Sequence, residues 1–405
     1  MNYQVKEKKL MYPIFGILLF SLILFLRRPD AFLNPQFWAE DGVIFFKECY
    51  YYSFSSAYTP YAGYLHFIPR IIALISNKLI GVRLSPFFYN TCALIIYIAV
   101  VINVYSRRVN LNNKILYILS LCLVPCYGNE IFMNVTNIQW FTGILIIVIL
   151  IKREPSSQFG NIPLQWASDI MQLLLAGLTG PFIVILLPLY AIRLYIQRNI
   201  HSLVVGVVAG ITSIIQLGFL LATSNEASNY GISVNYILKF FEFKVAYQYF
   251  FGWLNYSDKC AYFYLIAYIS LITYILKLIY SSKNRNSLIF ISCHFLFIGA
   301  TLIRMKGDPV IFNIIGGNRY LYIPYVMLSW VLISEINKSN RIFIYLLLLL
   351  ILSSSVSSEF TTKYIDYNWK AHAEKIGKEN VEIPINPLGW SIILKKNEFI
   401  QSYSR

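Results

Sequence analysis

LSPFFYNTCALIIYIAVVINVY, residues 84–105, carries no charged side chain along its length and ends against Ser106-Arg107-Arg108. A membrane-spanning helix needs about 20 predominantly apolar residues, and basic residues collect at its cytoplasmic end. This stretch meets both conditions. Similar runs, several of them short, lie at 10–26, 115–127, 138–151, 164–178, 181–196, 202–222, 261–280, 287–303, 320–334 and 342–357. With 57% apolar and only 13% charged residues, the chain lacks the polar surface of a soluble domain, in which about 25% of residues are charged. The expected fold is an all-α integral membrane protein with about 11 transmembrane helices, or 9 if 115–127 and 138–151 form a re-entrant pair.

Basic residues fix the expected orientation. With the N-terminus inside, the inner connections hold Lys6, Lys8, Lys9, Arg107, Arg108, Lys114, Lys152, Arg153, Arg193, Arg198, Lys277, Lys283, Arg285, Lys338 and Arg341, against only Glu7, Glu154 and Glu335. Most of the net charge of +15 is thus topological, and no basic patch interleaved with aromatics points to nucleic acid. The run at 10–26 ends on Arg27-Arg28-Pro29-Asp30 without a small-residue cleavage site, so it reads as an uncleaved signal anchor. Eleven crossings leave the tail outside. Residues 1–357 then form one polytopic domain with a long external loop at 27–83, and 358–405 form a polar external tail anchored by Trp369 and Trp390.

Two stretches, Gly63 to Ile80 and Val234 to Phe251, are apolar but interrupted by polar residues and read as interfacial helices in external loops. The six cysteines are scattered, with neither disulfide nor metal-ligand spacing. Chemistry concentrates outside. Trp38-Ala39-Glu40-Asp41-Gly42 places two adjacent carboxylates beside an aromatic anchor and a glycine that lets the backbone turn, and Glu40 or Asp41 is suited to act as a base. The same pair is the one place where a divalent cation is conceivable, but two carboxylates make a weak site, so no metal or cofactor is assigned. His66 and Arg70, then Asn129-Glu130, Asn134, Asn137, Gln139 and Trp140, Leu178 to Phe182, Arg304, Lys306 and Asp308, and Gly316-Gly317-Asn318-Arg319-Tyr320 fall on the same side. Asp169 stands apart, inside an apolar run where a carboxylate is costly.

Trp38 to Gly42, Tyr61 to Arg70, Asn134 to Trp140, Leu178 to Phe182, Gly317 to Tyr320 and Pro384 to Trp390 resemble segments of the polytopic GT-C-type glycosyltransferases. More narrowly, the chain resembles the phage-encoded serotype-converting glucosyltransferases that modify O-antigen. The resemblance covers residues 35 to 392 approximately, in short motifs. It implies a bacterial inner-membrane enzyme with a cytoplasmic N-terminus and periplasmic C-terminus. Its donor would be a sugar on undecaprenyl phosphate, supplied by a lipid-phosphate sugar synthase and a flippase, and its acceptor a hydroxyl of lipid-linked O-antigen. A phosphate leaves without help from an acid, so one carboxylate base and cations for the phosphate suffice. Glu40 and Asp41 are then the catalytic candidates, with Glu40 preferred, and transfer proceeds with inversion. Arg319, Arg70, Arg304 and Lys306 are the phosphate ligands; Trp38, His66, Asn137, Gln139, Trp140 and Tyr320 line the substrate; Asp169 is a second-rank candidate. The competing classes are a lipid-linked-sugar flippase or small-solute transporter, and an O-antigen polymerase acting on whole repeat units.

Overall fold

Inside hydrocarbon, backbone N–H and C=O groups have no water to bind, so an apolar run must satisfy them within itself and coils into a helix. Each of the eleven runs does so in the computed structural model, which describes residues 2–223, 230–337, 339–359 and 364–396. Lys338 and residues 224–229, 360–363 and 397–405 lie outside the described residues, as do the side chains of Lys6, Lys8 and Lys9. The chain is mostly helical, at 72%. Four helices are long and apolar enough to cross a membrane: Val82–Tyr105, Ile200–Ala222, Asp258–Ser282 and Arg285–Met305. The helices Met11–Arg27, Lys114–Leu123, Ile138–Ile151, Phe182–Gln197 and Arg341–Val356 are apolar but shorter.

Length and burial sort these helices into an inner and an outer set. Ile138–Ile151, 14 residues and about 21 Å long, is buried at every position from Ile138 to Leu150. Tyr322–Ser334, with 13 residues, is buried from Tyr322 to Ile333. These two form the centre. Around Ile138–Ile151 pack Ser85–Tyr105, Ile162–Gly177 and Phe182–Gln197, while Arg285–Met305 and Lys114–Leu123 flank Tyr322–Ser334. The outer Ile200–Ala222 helix exposes Leu203, Val207, Ile211, Ile214, Leu217 and Leu221. Their spacing of three to four residues gives one continuous apolar face, as a lipid-facing helix requires.

Polar groups tie the inner helices where packing alone leaves backbone ends bare. The Tyr97 ring stacks on Phe141 with centroids 3.8 Å apart, and its hydroxyl donates to the Ile131 carbonyl at 3.0 Å. At the far end of Ile138–Ile151, Arg193 donates to the carbonyls of Ile149 (2.8 Å), Leu150 (2.8 Å) and Lys152 (3.0 Å). A guanidinium there satisfies carbonyls that have no partner within the helix and complements its dipole.

One helical expectation holds, and two others change. Gly63 to Ile80 does form a helix, Phe67–Ile75, extended by a wide turn at Ser76–Ile80. Val234 to Phe251 is also helical, but Phe240 and all residues from Glu242 to Phe250 are buried, so it is an internal element rather than a surface-lying one. Its aromatics occur on every face, leaving no polar side to turn toward water. Beside the helices, which dominate as an all-α fold requires, the described residues hold one short hairpin in the tail. Val381–Ile385 (β1) and Trp390–Leu394 (β2) pair antiparallel, with Val381 opposite Leu394 and Ile385 opposite Trp390.

That hairpin is not a free appendage. Trp369 is buried and its indole N–H donates to the Val82 carbonyl at 3.2 Å. The β hairpin lies on the wide-turn helix Asp41–Phe46. Gly42 is the contact point, and its φ is not positive, so the glycine serves close approach rather than turning. A Cβ there would sit 2.5 Å from Cδ1 of Ile392 and 2.9 Å from Cδ1 of Ile385. Gly42→Val should therefore lower stability by about 1–3 kcal/mol, as overpacking does. In Gly42→Val/Ile392→Ala the two losses should be less than additive, read as thermal unfolding in detergent; an unchanged melting temperature in Gly42→Val would dismiss this packing.

Candidate functional site

The segments singled out in the sequence come together at one end of the central helix. Asp41, 1% exposed, accepts three hydrogen bonds: Val135 N to Oδ2 at 2.9 Å, and Thr136 N and Oγ1 to Oδ1 at 2.7 and 2.6 Å. Burial pushes its pKa up to about 7, and the three donors pull it back toward the carboxylate. Both oxygens are occupied, so Asp41 is an anchor between the first loop and the start of Ile138–Ile151.

Its neighbour is placed differently. Glu40 is also buried, but among the described residues its Oε1 accepts one hydrogen bond, from the Tyr61 hydroxyl at 3.4 Å, and lies 4.0 Å from Nη1 of Arg319. Behind it the backbone turns at Ala39, whose φ of 30° is in the left-handed region that an alanine enters at a cost of roughly 1–2 kcal/mol. Two contacts hold that turn. Ala39 N donates to the Asn386 carbonyl of the tail at 2.5 Å, and Asp41 N to the Trp38 carbonyl at 2.7 Å. Strain of this kind persists where surrounding structure over-determines the backbone, commonly at a working site.

Tyr61 is aimed by a tight turn in which Tyr61 and Tyr64 exchange backbone hydrogen bonds at 3.0 and 3.2 Å. Ala62 and Gly63 between them both have positive φ, as a two-residue turn of this twist requires. The chain then joins the 178–182 turn: Phe67 N donates to the Leu178 carbonyl at 3.1 Å and Gly180 N to the Leu65 carbonyl at 3.1 Å. Gln216 closes the other edge, accepting from Leu65 N at 3.0 Å.

Arg319 links Glu40 to an open cleft. Its Nη1 lies 3.7 Å from Glu130 Oε2, and its backbone N–H donates to Glu130 Oε1 at 3.2 Å. Burial raises the pKa of Glu130, and Arg319 opposes that rise. Glu130, Arg304, Arg319 and Tyr320 line a cleft of about 470 Å³, floored by the Gly316-Gly317 turn. Beneath that turn Lys244 donates to the Asn313 carbonyl at 2.8 Å and to Asn318 Oδ1 at 2.9 Å. Burial lowers its pKa to about 7, with Glu130 opposing.

Other candidates fall elsewhere. Arg70 is not outward-facing: it is fully buried, pairs with Glu48 at 2.6 Å and lies against the Phe45 ring. The Glu48 carboxylate and the Phe45 ring hold it inward. Lys306 ends the Arg285–Met305 helix in a left-handed conformation and is not part of the cleft wall. His66 is buried, and burial, then Arg70, lower its pKa to about 3, so the ring is neutral. Trp38 packs edge-on to Tyr364, and Trp140 between Phe182 and Tyr320, its indole donating to Asn137 Oδ1 at 3.1 Å. Asn137 and Gln139 are buried too, Asn137 donating to the Glu130 carbonyl at 2.7 Å and Gln139 lying against Gly180. Of the substrate candidates only Tyr320 reaches the cleft.

Asp169 lies at the opposite end, paired with Arg108 and Lys152. Glu130, Tyr61 and Lys244 also belong to the site, although none is among the catalytic and binding residues expected from the sequence. The visible signal was in Glu130, an acid between two apolar runs. Among the described residues no three His, Cys, Asp or Glu groups converge as a metal site. Compared with protein-family models, curated proteins and solved structures, the chain matches none.

The two carboxylates should separate by experiment. Thr136→Val, which removes one charge-assisted bond to Asp41, should cost about 1.5–3 kcal/mol of stability. Glu40→Gln should lower stability by less than about 1 kcal/mol, since Glu40 makes only the long contacts to Tyr61 and Arg319. A Thr136→Val protein as stable as wild type would refute the anchoring role.

Proposed function

We propose that the chain is a membrane glycosyltransferase that moves a sugar, glucose in the simplest case, from undecaprenyl-phosphate-sugar to a hydroxyl of O-antigen polysaccharide. The observation that carries this reading is the division of labour between adjacent carboxylates. Asp41 is consumed by three donors, whereas Glu40 stands 4.0 Å from an arginine that opens onto a cleft. The convergence of Trp38 to Gly42, Tyr61 to Arg70, Asn134 to Trp140, Leu178 to Phe182, Gly317 to Tyr320 and the Asn386 turn supports it. These are the segments on which the resemblance rests.

In the reaction, the acceptor hydroxyl attacks the anomeric carbon from the face opposite the phosphate, with inversion. Glu40 takes the hydroxyl proton as the new C–O bond forms, and the old C–O bond breaks toward the phosphate. Arg319 and Arg304 receive the charge that develops on the leaving phosphate; a guanidinium suits this because it pairs two oxygens in one plane. Tyr61 and Glu130 orient Glu40 and Arg319, and Tyr320 offers a ring face to the sugar. Arg70 and Lys306 take no part in phosphate binding on this geometry.

The enzyme occupies the bacterial inner membrane, crossing nine to eleven times with the N-terminus in the cytoplasm and the site and tail in the periplasm. The carrier reading is the weaker one, because Asp169, the acid within an apolar run, is held by Arg108 and Lys152. Expression in a strain with unmodified O-antigen and a supply of lipid-phosphate glucose should add one hexose per repeat unit, read by mass of the lipopolysaccharide. Glu40→Gln should lower the yield by about 10²–10⁴ at unchanged protein level, the range of a lost general base. Unmodified polysaccharide from the wild-type protein across several acceptor backgrounds would rule the reading out. For topology, a reporter active only in the periplasm and fused after Lys370 should be active, and silence there with a working cytoplasmic fusion would reverse the orientation.

A further inference from the structure

At the end of the central helix remote from Glu40, a second polar centre is buried. Asp169 Oδ2 lies 2.6 Å from Nη2 of Arg108 and 2.9 Å from Nε2 of His201; its Oδ1 lies 2.8 Å from Nζ of Lys152. Arg193 Nη2 approaches His201 Nδ1 at 2.8 Å. An arginine cannot accept, so His201 accepts at Nδ1 and donates from Nε2 to Asp169, which makes the ring neutral. Three buried cations, Arg108, Lys152 and Arg193, therefore face one buried carboxylate.

Helix-end carbonyls take up part of Arg193, and Asn103 Oδ1 accepts from Lys152 at 2.5 Å, but neither contributes a full negative charge. Glu154, two residues beyond Lys152, is exposed and outside the cleft wall. Uncompensated charge away from water is expensive, so a site of this composition is completed by an anion.

A place for one is present. Arg108 and Lys152 open onto a cleft of about 440 Å³ whose wall adds the exposed Arg107 and the polar Ser168 and Gln172, with Asp169 the one acid among the lining residues described. Gln172 Oε1 is buried with no hydrogen-bond partner, and so calls for a donor. Pro13, Ile102 and Leu164 complete the wall with apolar surface. Phosphate level beside hydrocarbon is where a phospholipid headgroup sits.

We propose that this cleft is a binding site for a net-anionic, phosphate-bearing headgroup that also carries a hydroxyl, held by Arg107, Arg108 and Lys152 with the hydroxyl donating to Gln172. The site is independent of the glycosyl-transfer reading. It lies at the end of the central helix remote from Glu40.

The test uses the full chain in neutral detergent, with phosphatidylglycerol, phosphatidylcholine or inorganic phosphate added separately, bound lipid counted by native mass spectrometry and stability followed by melting. Phosphatidylglycerol should bind at least tenfold more tightly than phosphatidylcholine and raise the melting temperature. That preference should fall about tenfold in Arg107→Gln and in Lys152→Gln, and stay intact in Lys277→Gln, an exposed basic position outside both clefts. Because Lys152 is buried, Arg107→Gln, an exposed position, decides the matter if Lys152→Gln does not fold. Protection by inorganic phosphate alone, lost in the same variants, would keep the anion site and assign it a soluble ligand. Equal binding of the two lipids with no effect of phosphate, or an undiminished preference in Arg107→Gln, would overturn the proposal.

Discussion

The carboxylate of Asp41, held by the backbone of Val135 and by both the backbone and hydroxyl of Thr136, fixes the relation between the two halves of the site. One partner belongs to the long first loop, the other to the turn that starts the central helix. Everything else at that end is registered against this contact: Glu40 is the next residue back, the strained Ala39 turn precedes it, and the Glu130 that meets Arg319 sits in the same 128–137 segment. A buried carboxylate with three donors costs little beyond its desolvation, but removing its donors leaves a charge stranded, which is what makes the joint stiff.

Much of the helical layout is legible in the sequence because it obeys a solvent rule: uncharged apolar runs have one way to satisfy their backbone in hydrocarbon. The site is legible only in part. Glu40, Asp41, Arg319, Arg304 and Tyr320 announce themselves as polar residues at loop positions between runs. What a linear reading cannot weigh is which polar residue spends itself on structure. Asp41 and Asn137 become joints, Arg70 is drawn inward by Glu48, and the tryptophans are enclosed by other rings. Gly42 illustrates the same limit, since a glycine needed for turning and one needed for close approach look alike until the hairpin that touches it is placed.

The tail repeats that lesson. Its composition is that of a solvated appendage, yet Asn386 supplies a carbonyl to Ala39 and a side-chain amide that pairs both ways with Ile365. Four residues of loop therefore secure a strained turn more than 340 positions earlier in the chain, and Ile385 and Ile392 wedge against the next one. The sequence separation is why local pattern could not find it.

The brevity of the central helix has a consequence of its own. About 21 Å of helix is shorter than a hydrocarbon layer of roughly 30 Å. Buried irregular chain continues it at one end and the Asp169 network, open to its cleft, at the other, so neither end leaves polar groups facing lipid tails. Hydrophobic mismatch is thereby shifted to the rim. A bilayer that thickens or thins presses on Ile200–Ala222 and the other lipid-facing helices, which can tilt, while the axis between the two polar centres keeps its length.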